Sequence, residues 1–196
     1  MAPPPPGAPR SIRGSRQDRL VACQPGRLDR PGKKGGGADQ EVGPNPTDRG
    51  KAGSKRHVLV DRQGIPLAVW LTAANVHDSV VFEDLIEAVE PIRRPRGRPR
   101  VRPDKLHADK GYDYRRCRDY LRRRGIGCRI ARRGVESSDK LGRFRWVVER
   151  TFAWFNRFRR LMIRYERLAD LYLAFLDLAC ALICLRFLQT RFERIT

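Results

Sequence analysis

Two carboxylates, Asp109 and Glu149, are the residues whose placement could do chemistry. Asp109 follows the short apolar run Lys105-Leu106-His107-Ala108 and precedes Gly111. Strand ends beside a helix start are where α/β folds present hard-metal ligands and reactive groups. The same residue type also forms ordinary turns before glycine. Glu149 lies in the segment 143–165, where Phe144, Val147, Val148, Thr151, Phe155, Phe158, Met162 and Tyr165 recur at spacings of three and four. That recurrence predicts one amphipathic helix. Arg145 stands four residues before Glu149, so an exposed Arg–Glu pair is the competing reading. Taken together, a strand-end Asp and a helix-borne Glu could flank divalent cations and serve phosphodiester transfer.

The elements that would position them follow from local pattern. Val58-Leu59-Val60, the turn Asp61-Arg62-Gln63-Gly64 and the run Pro66–Thr72 predict a hairpin. Ser79 is expected to cap a helix carrying Val80, Phe82, Leu85, Ile86 and Val89, ended by Pro91. Tyr114–Arg124 reads as a basic helix closed by Gly125, and Gly127–Ala131 as a short strand. A last helix runs from about Ala169 to Gln189, apolar from Leu171 to Leu185 except for Asp177. It is expected to be buried or to meet a partner rather than to cross a membrane. The order is that of an α/β layer fold.

Charge narrows the partner. The chain has 42 Lys and Arg against 22 Asp and Glu, a formal net charge of +20. Such an excess attracts polyanions at long range. Arg93, Arg94, Arg96, Arg98, Arg100 and Arg102 crowd into one Pro/Gly-rich loop, an expected contact for DNA backbone. Five cysteines without a CxxC pair argue against disulfides and structural zinc, which suits a cytoplasmic protein. Residues 1–50 hold nine prolines and nine glycines and show no apolar periodicity. A disordered arm over 1–42, a core over 43–190 and a tail over 191–196 are therefore expected.

The chain resembles DDE-type bacterial insertion-sequence transposases. The resemblance runs through Gly43–Lys51, Gly53–His57, Leu71–Asp78, Ala108–Asp113, Ile130–Gly134 and Arg145–Trp154. It implies a ribonuclease-H-like mixed sheet flanked by helices, and transfer chemistry with two Mg²⁺ (or Mn²⁺) ions. It also implies double-stranded DNA, as element ends and target, for a partner; a homodimer is an expectation and a membrane is not. Asp109 would be the second acid and Glu149 the third, both as metal ligands. Arg145 and Glu149 match the Tyr-x2-Arg-x3-Glu-x6-Lys signature, whereas Gly142 and Asn156 replace its outer members. Arg157 is the expected phosphate contact in their place.

The first acid has three candidates in this reading: Asp29, Asp48 and Asp61. Prolines and missing alternation around Gln24–Gly32 argue against a core strand there. The expectation is thus a truncated or frame-disrupted transposase core, with a non-catalytic basic DNA-binding remnant as the alternative.

Overall fold

The computed structural model describes residues 18–27, 41–46, 49–93, 97–134 and 142–193, with 18–27, 142–145 and 191–192 described by backbone alone. Among the described residues six strands form one sheet: β1 (Asp18–Arg27), β2 (Gly43–Pro44), β3 (Ala52–Asp61), β4 (Pro66–Ala73), β5 (Lys105–Ala108) and β6 (Gly127–Ile130). The long path across it is β4-β3-β1-β5-β6, and β2 also pairs with β3. β1 runs antiparallel to β3, and β3 to β4. β1, β5 and β6 run parallel.

Val58, Leu59 and Val60 are all fully buried because both faces of β3 are covered. Leu59 packs with Leu106 under α1 (Phe82–Glu87) and α2 (Arg115–Arg123). Val58 and Val60 pack on the other face with Val147, Val148 and Phe152 of α3 (Gly142–Phe155) and Leu176 of α5 (Ala169–Phe192). The hairpin is as expected: Asp61 Oδ1 accepts from the N–H groups of Gln63 and Ile65, both at 2.8 Å, and Gly64 has φ 79°. That turn gives Asp61 a structural role of its own.

Three expectations are corrected. The arm reading fails at residues 18–27, which occupy the centre of the sheet. Pro25 is tolerated because β5 pairs only with Asp18–Val21; at Pro25 the strand has β3 alone beside it. Ser79 does not cap α1, whose N-cap is Val81 with no side-chain bond; the Ser79 hydroxyl lies 3.0 Å from His77 Nδ1 instead. The single helix over 143–165 breaks after Phe155 and resumes as α4 (Arg159–Met162). At the break, buried Arg56 donates to Leu161 O at 2.9 Å and to Asn156 Oδ1 at 3.2 Å. A cation arriving from β3 thus takes up polar groups around the break.

A second buried cation ties the ends of the fold together. Arg164, 2% exposed, donates to Glu166 O at 3.0 Å, Arg167 O at 3.2 Å, Glu41 O at 3.4 Å and the Ser54 hydroxyl. It also lies 5.5 Å from the Tyr172 ring centroid. Arg164→Met keeps most of the volume but strips several buried acceptors of their donor. Urea unfolding should show a loss of about 3 kcal/mol; a loss under about 1 kcal/mol would remove Arg164 as a tie.

The helix α5 is one-sided. Tyr172, Leu176, Ala179 and Ile183 are buried, while Leu171, Leu178, Leu182, Leu185 and Leu188 are exposed. By length and composition, Ala169–Thr190 could cross a membrane, yet its inner face packs on β4 and α3.

Candidate active site

Asp109 stands one residue beyond β5, with extended backbone (φ −76°, ψ −178°), and its carboxylate accepts from Gly111 N at 2.8 Å. It is exposed. Leu106 and Ala108 point into the α1–α2 core, so strand alternation turns the next position towards the α3 side. Glu149 sits on α3 and is also exposed.

The orientation of α3 is fixed by its neighbours on the same helix. Thr151 Oγ1 donates to Gly64 O at 2.8 Å, and Arg150 donates to Gln63 O at 2.5 Å. The Arg150 guanidinium lies between the rings of Trp146 and Trp154, 4.6 and 4.9 Å from their centroids. The i, i+4, i+8 spacing Trp146-Arg150-Trp154 carries that stack and was legible in the sequence.

Sequence reasoning missed Asp78. A Cβ on Gly111 would lie 2.9 Å from Asp109 Oδ1 and 3.4 Å from Asp78 Oδ2, so both carboxylates reach one point. Glycine at 111 is what leaves room for them. Lys55 Nζ donates to Asp78 Oδ1 and to Val76 O, each at 2.7 Å, which holds the second carboxylate in place. Lys55 and Asp78 each lie inside segments already conspicuous in the sequence, but their pairing spans 23 residues.

A polar rim continues from Asp109. Tyr114 OH lies 3.1 Å from His77 Nε2, and Arg133 stacks 4.9 Å from the Tyr114 ring centroid. Arg133 Nε donates to Lys110 O at 3.0 Å. The Arg133 N–H and the Arg118 guanidinium hold the Asp113 carboxyl below its ordinary value.

The other expected residues are dispersed. Arg93, Arg98 and Arg157 are exposed. Arg94, Arg96, Asp29 and Asp48 lie outside the described residues, as does the side chain of Arg145. Asn156, at the signature's lysine position, is used by Arg56.

β1 bears on where a first acid could stand beside Asp109. Val21 pairs with Ala108, so Ala22 is the β1 position that follows alongside Asp109. Arg27 ends the strand six residues past Val21, about 20 Å further along at ~3.3 Å per residue. Asp29 comes after that end, outside the described residues. The acid that β1 does contain, Asp18, pairs with Lys105, three residues before Ala108. No carboxylate of β1 stands beside Asp109.

This donor set meets a divalent cation only in part. Carboxylate oxygens are the right ligand type for a hard cation. Among the described residues, however, no group of three or more His, Cys, Asp or Glu is placed to hold a metal ion.

Comparison with known proteins places the chain among transposases. The transposase of insertion sequence element IS1106 from Neisseria meningitidis serogroup B is 29% identical over 129 residues, 61% of this chain and 40% of that protein. A transposase assigned to insertion sequence element IS402 of Burkholderia cepacia is 54% identical over 144 residues, 74% of this chain and 68% of that protein. The profile of the transposase DDE domain matches residues 20–184, from the third residue of β1 to about two thirds of the way along α5, and the chain belongs to that family.

Proposed function

We propose that this chain is a ribonuclease-H-like core for DNA transposition that engages duplex DNA and cleaves it poorly in its present sequence. The observation that carries the reading is the sheet order β4-β3-β1-β5-β6, antiparallel then parallel, with Asp109 at the end of β5 beside the central strand. Reactive groups in α/β sheets gather at such carboxyl ends. Asp109 and Glu149 are the second and third acids of this reading, and Asp78 is a carboxylate alongside.

In this reading divalent cations, Mg²⁺ or Mn²⁺, would supply activation of an attacking oxygen and charge stabilisation in phosphodiester transfer. Asp109 and Glu149 are the residues that would hold them. Ala22 stands where that reading needs a further carboxylate. The chain's own part is then to bind and orient: Arg93, Arg98, Arg157 and, by sequence, Arg94, Arg96 and Arg145 offer guanidinium groups to backbone phosphates. Element ends and target DNA are the duplexes it would meet, in the cytoplasm.

The second reading, a DNA-binding remnant without cleavage, is favoured by the absence of any acid on β1 beside Asp109. Both readings require duplex binding dominated by counterion release. Duplex affinity should fall about a thousandfold between ~50 and ~200 mM salt, with little dependence on sequence. Fluorescence anisotropy checks this, and a flat salt response would reject both readings.

A further inference from the structure

We propose that the outer face of α2 is a track for the phosphate backbone of duplex DNA, leading away from Asp109; this rests on the DNA-transposition reading above. The helix reads Arg115-Arg116-Cys117-Arg118-Asp119-Tyr120-Leu121-Arg122-Arg123. Cys117, Tyr120 and Leu121 are buried and anchor it to the sheet. Arg115, Arg116, Asp119, Arg122 and Arg123 line an open groove on its other side.

The charge on that face is not what helix stability asks for. The first turn holds no acid, and Arg115 and Arg116 occupy it, beside the positive end of the helix dipole. One carboxylate, Asp119, is shared by Arg115 at 3.5 Å and Arg122 at 2.6 Å. The Arg115 and Arg122 side chains are nonetheless 95% and 78% exposed. Arg116 reaches Glu83 at 3.6 Å and donates to Ser79 O, which fastens it to the loop carrying Asp78. Arg123 is exposed. Repulsion within the face would be relieved by a polyanion laid along it.

Spacing favours duplex DNA. Arg115 and Arg122, and likewise Arg116 and Arg123, are seven residues apart and so share a face two turns apart, about 10.5 Å. Three base-pair steps rise about 10.2 Å along the duplex axis, so a helix lying along that axis matches its arginine pairs to that rise. The track also begins at the site: Asp109 and Lys110 lead to Tyr114, the N-cap of α2, on which Arg133 stacks. An anionic membrane would be drawn by the same charge, but the apolar side chains of α2 face inward.

The test measures binding of a duplex oligonucleotide across a salt series, with the whole chain and its Arg122→Gln/Arg123→Gln variant. Loss of two phosphate contacts should lower the slope of log affinity against log salt by about 1.8. Asp119→Asn removes the competing carboxylate and should shift affinity the opposite way, tightening it. Arg123→Gln alone, which leaves the Asp119 pairs intact, should lower the slope by about 0.9. Circular dichroism and melting confirm the fold of each variant. A parent chain that binds with a steep slope, unchanged in the variants, overturns the track while leaving the DNA reading standing. A parent chain that binds no duplex overturns both. Variants that lose binding to phosphatidylserine vesicles but keep duplex binding make the face a membrane surface and overturn the proposal.

Discussion

Replacing Ala22 by Asp is expected to turn a chain that binds duplex DNA and barely cuts it into one that nicks supercoiled DNA in the presence of Mg²⁺ or Mn²⁺. Ala22 follows Val21, the partner of Ala108, and is therefore the β1 position alongside Asp109. It also pairs with Val58, whose side chain packs on the α3 face, the side on which Glu149 is carried. An acid at this position would join Asp109 and Glu149 from a third element. Supplying a missing carboxylate of this kind should be worth several kcal/mol of transition-state charge stabilisation; about 4 kcal/mol corresponds to a rate increase near 10³-fold. Ala22→Asn matches the shape without the charge and should leave cleavage at the parental level. Adding Glu149→Ala to Ala22→Asp should return it there as well. Vigorous cleavage by the parent chain would show that the acids are assigned wrongly, because β1 carries no acid at the position beside Asp109.

The hairpin, β5, α2, β6 and α5 were legible because each is written locally. Apolar periodicity defines them, and Asp61, Gly64 and Gly125 punctuate them. β1 was not. Leu20-Val21-Ala22-Cys23 is a run of four apolar residues, but Pro25, Gly26 and the surrounding Pro/Gly-rich sequence outweigh it locally. Only the sheet reveals that Pro25 lies past the end of β5 pairing, where a missing N–H faces no second strand. The break between α3 and α4 is illegible for a related reason. The 143–165 stripe continues through it, and the group that accompanies the break, Arg56, comes from about one hundred residues away.

The candidate site divides in the same way. Asp109 could be found because a short strand, an acid and a glycine are adjacent in sequence. Glu149 could be found because its helix is strongly periodic. Asp78 could not, since its approach to Asp109 depends on Lys55 reaching from β3 and on Gly111 lacking a side chain. The basic face of α2 was visible as composition, but its directionality emerges only when the buried residues Cys117, Tyr120 and Leu121 identify the inner side.

Stability should fall as pH drops from about 6.5 to about 4, and His57 should account for much of the fall. His57 is fully buried on β3, with Nε2 2.9 Å from Thr72 Oγ1. Burial is the main reason its pKa is lowered to about 4 from the ordinary 6.5; Lys55 acts in the same direction and Asp78 opposes. In the unfolded chain the imidazole takes up a proton below about pH 6.5, whereas in the fold it resists protonation until about pH 4. Between those values the unfolded state binds more protons, so stability rises with pH. Above pH 6.5 the contribution is fully present; at pH 4 and below it is lost, a difference on the order of 3 kcal/mol. His57→Asn retains a polar partner for Thr72 without a titrating ring. Its unfolding free energy should start lower, by roughly 1–2 kcal/mol for the altered packing, and vary much less across this window. A loss at more acid pH should persist in the variant, because the Arg133 N–H and the Arg118 guanidinium hold the Asp113 carboxyl below its ordinary value and that help is lost on protonation. Chemical denaturation at several pH values separates the two losses. A His57→Asn chain that kept the full slope between pH 6.5 and 4 would move its origin to another group.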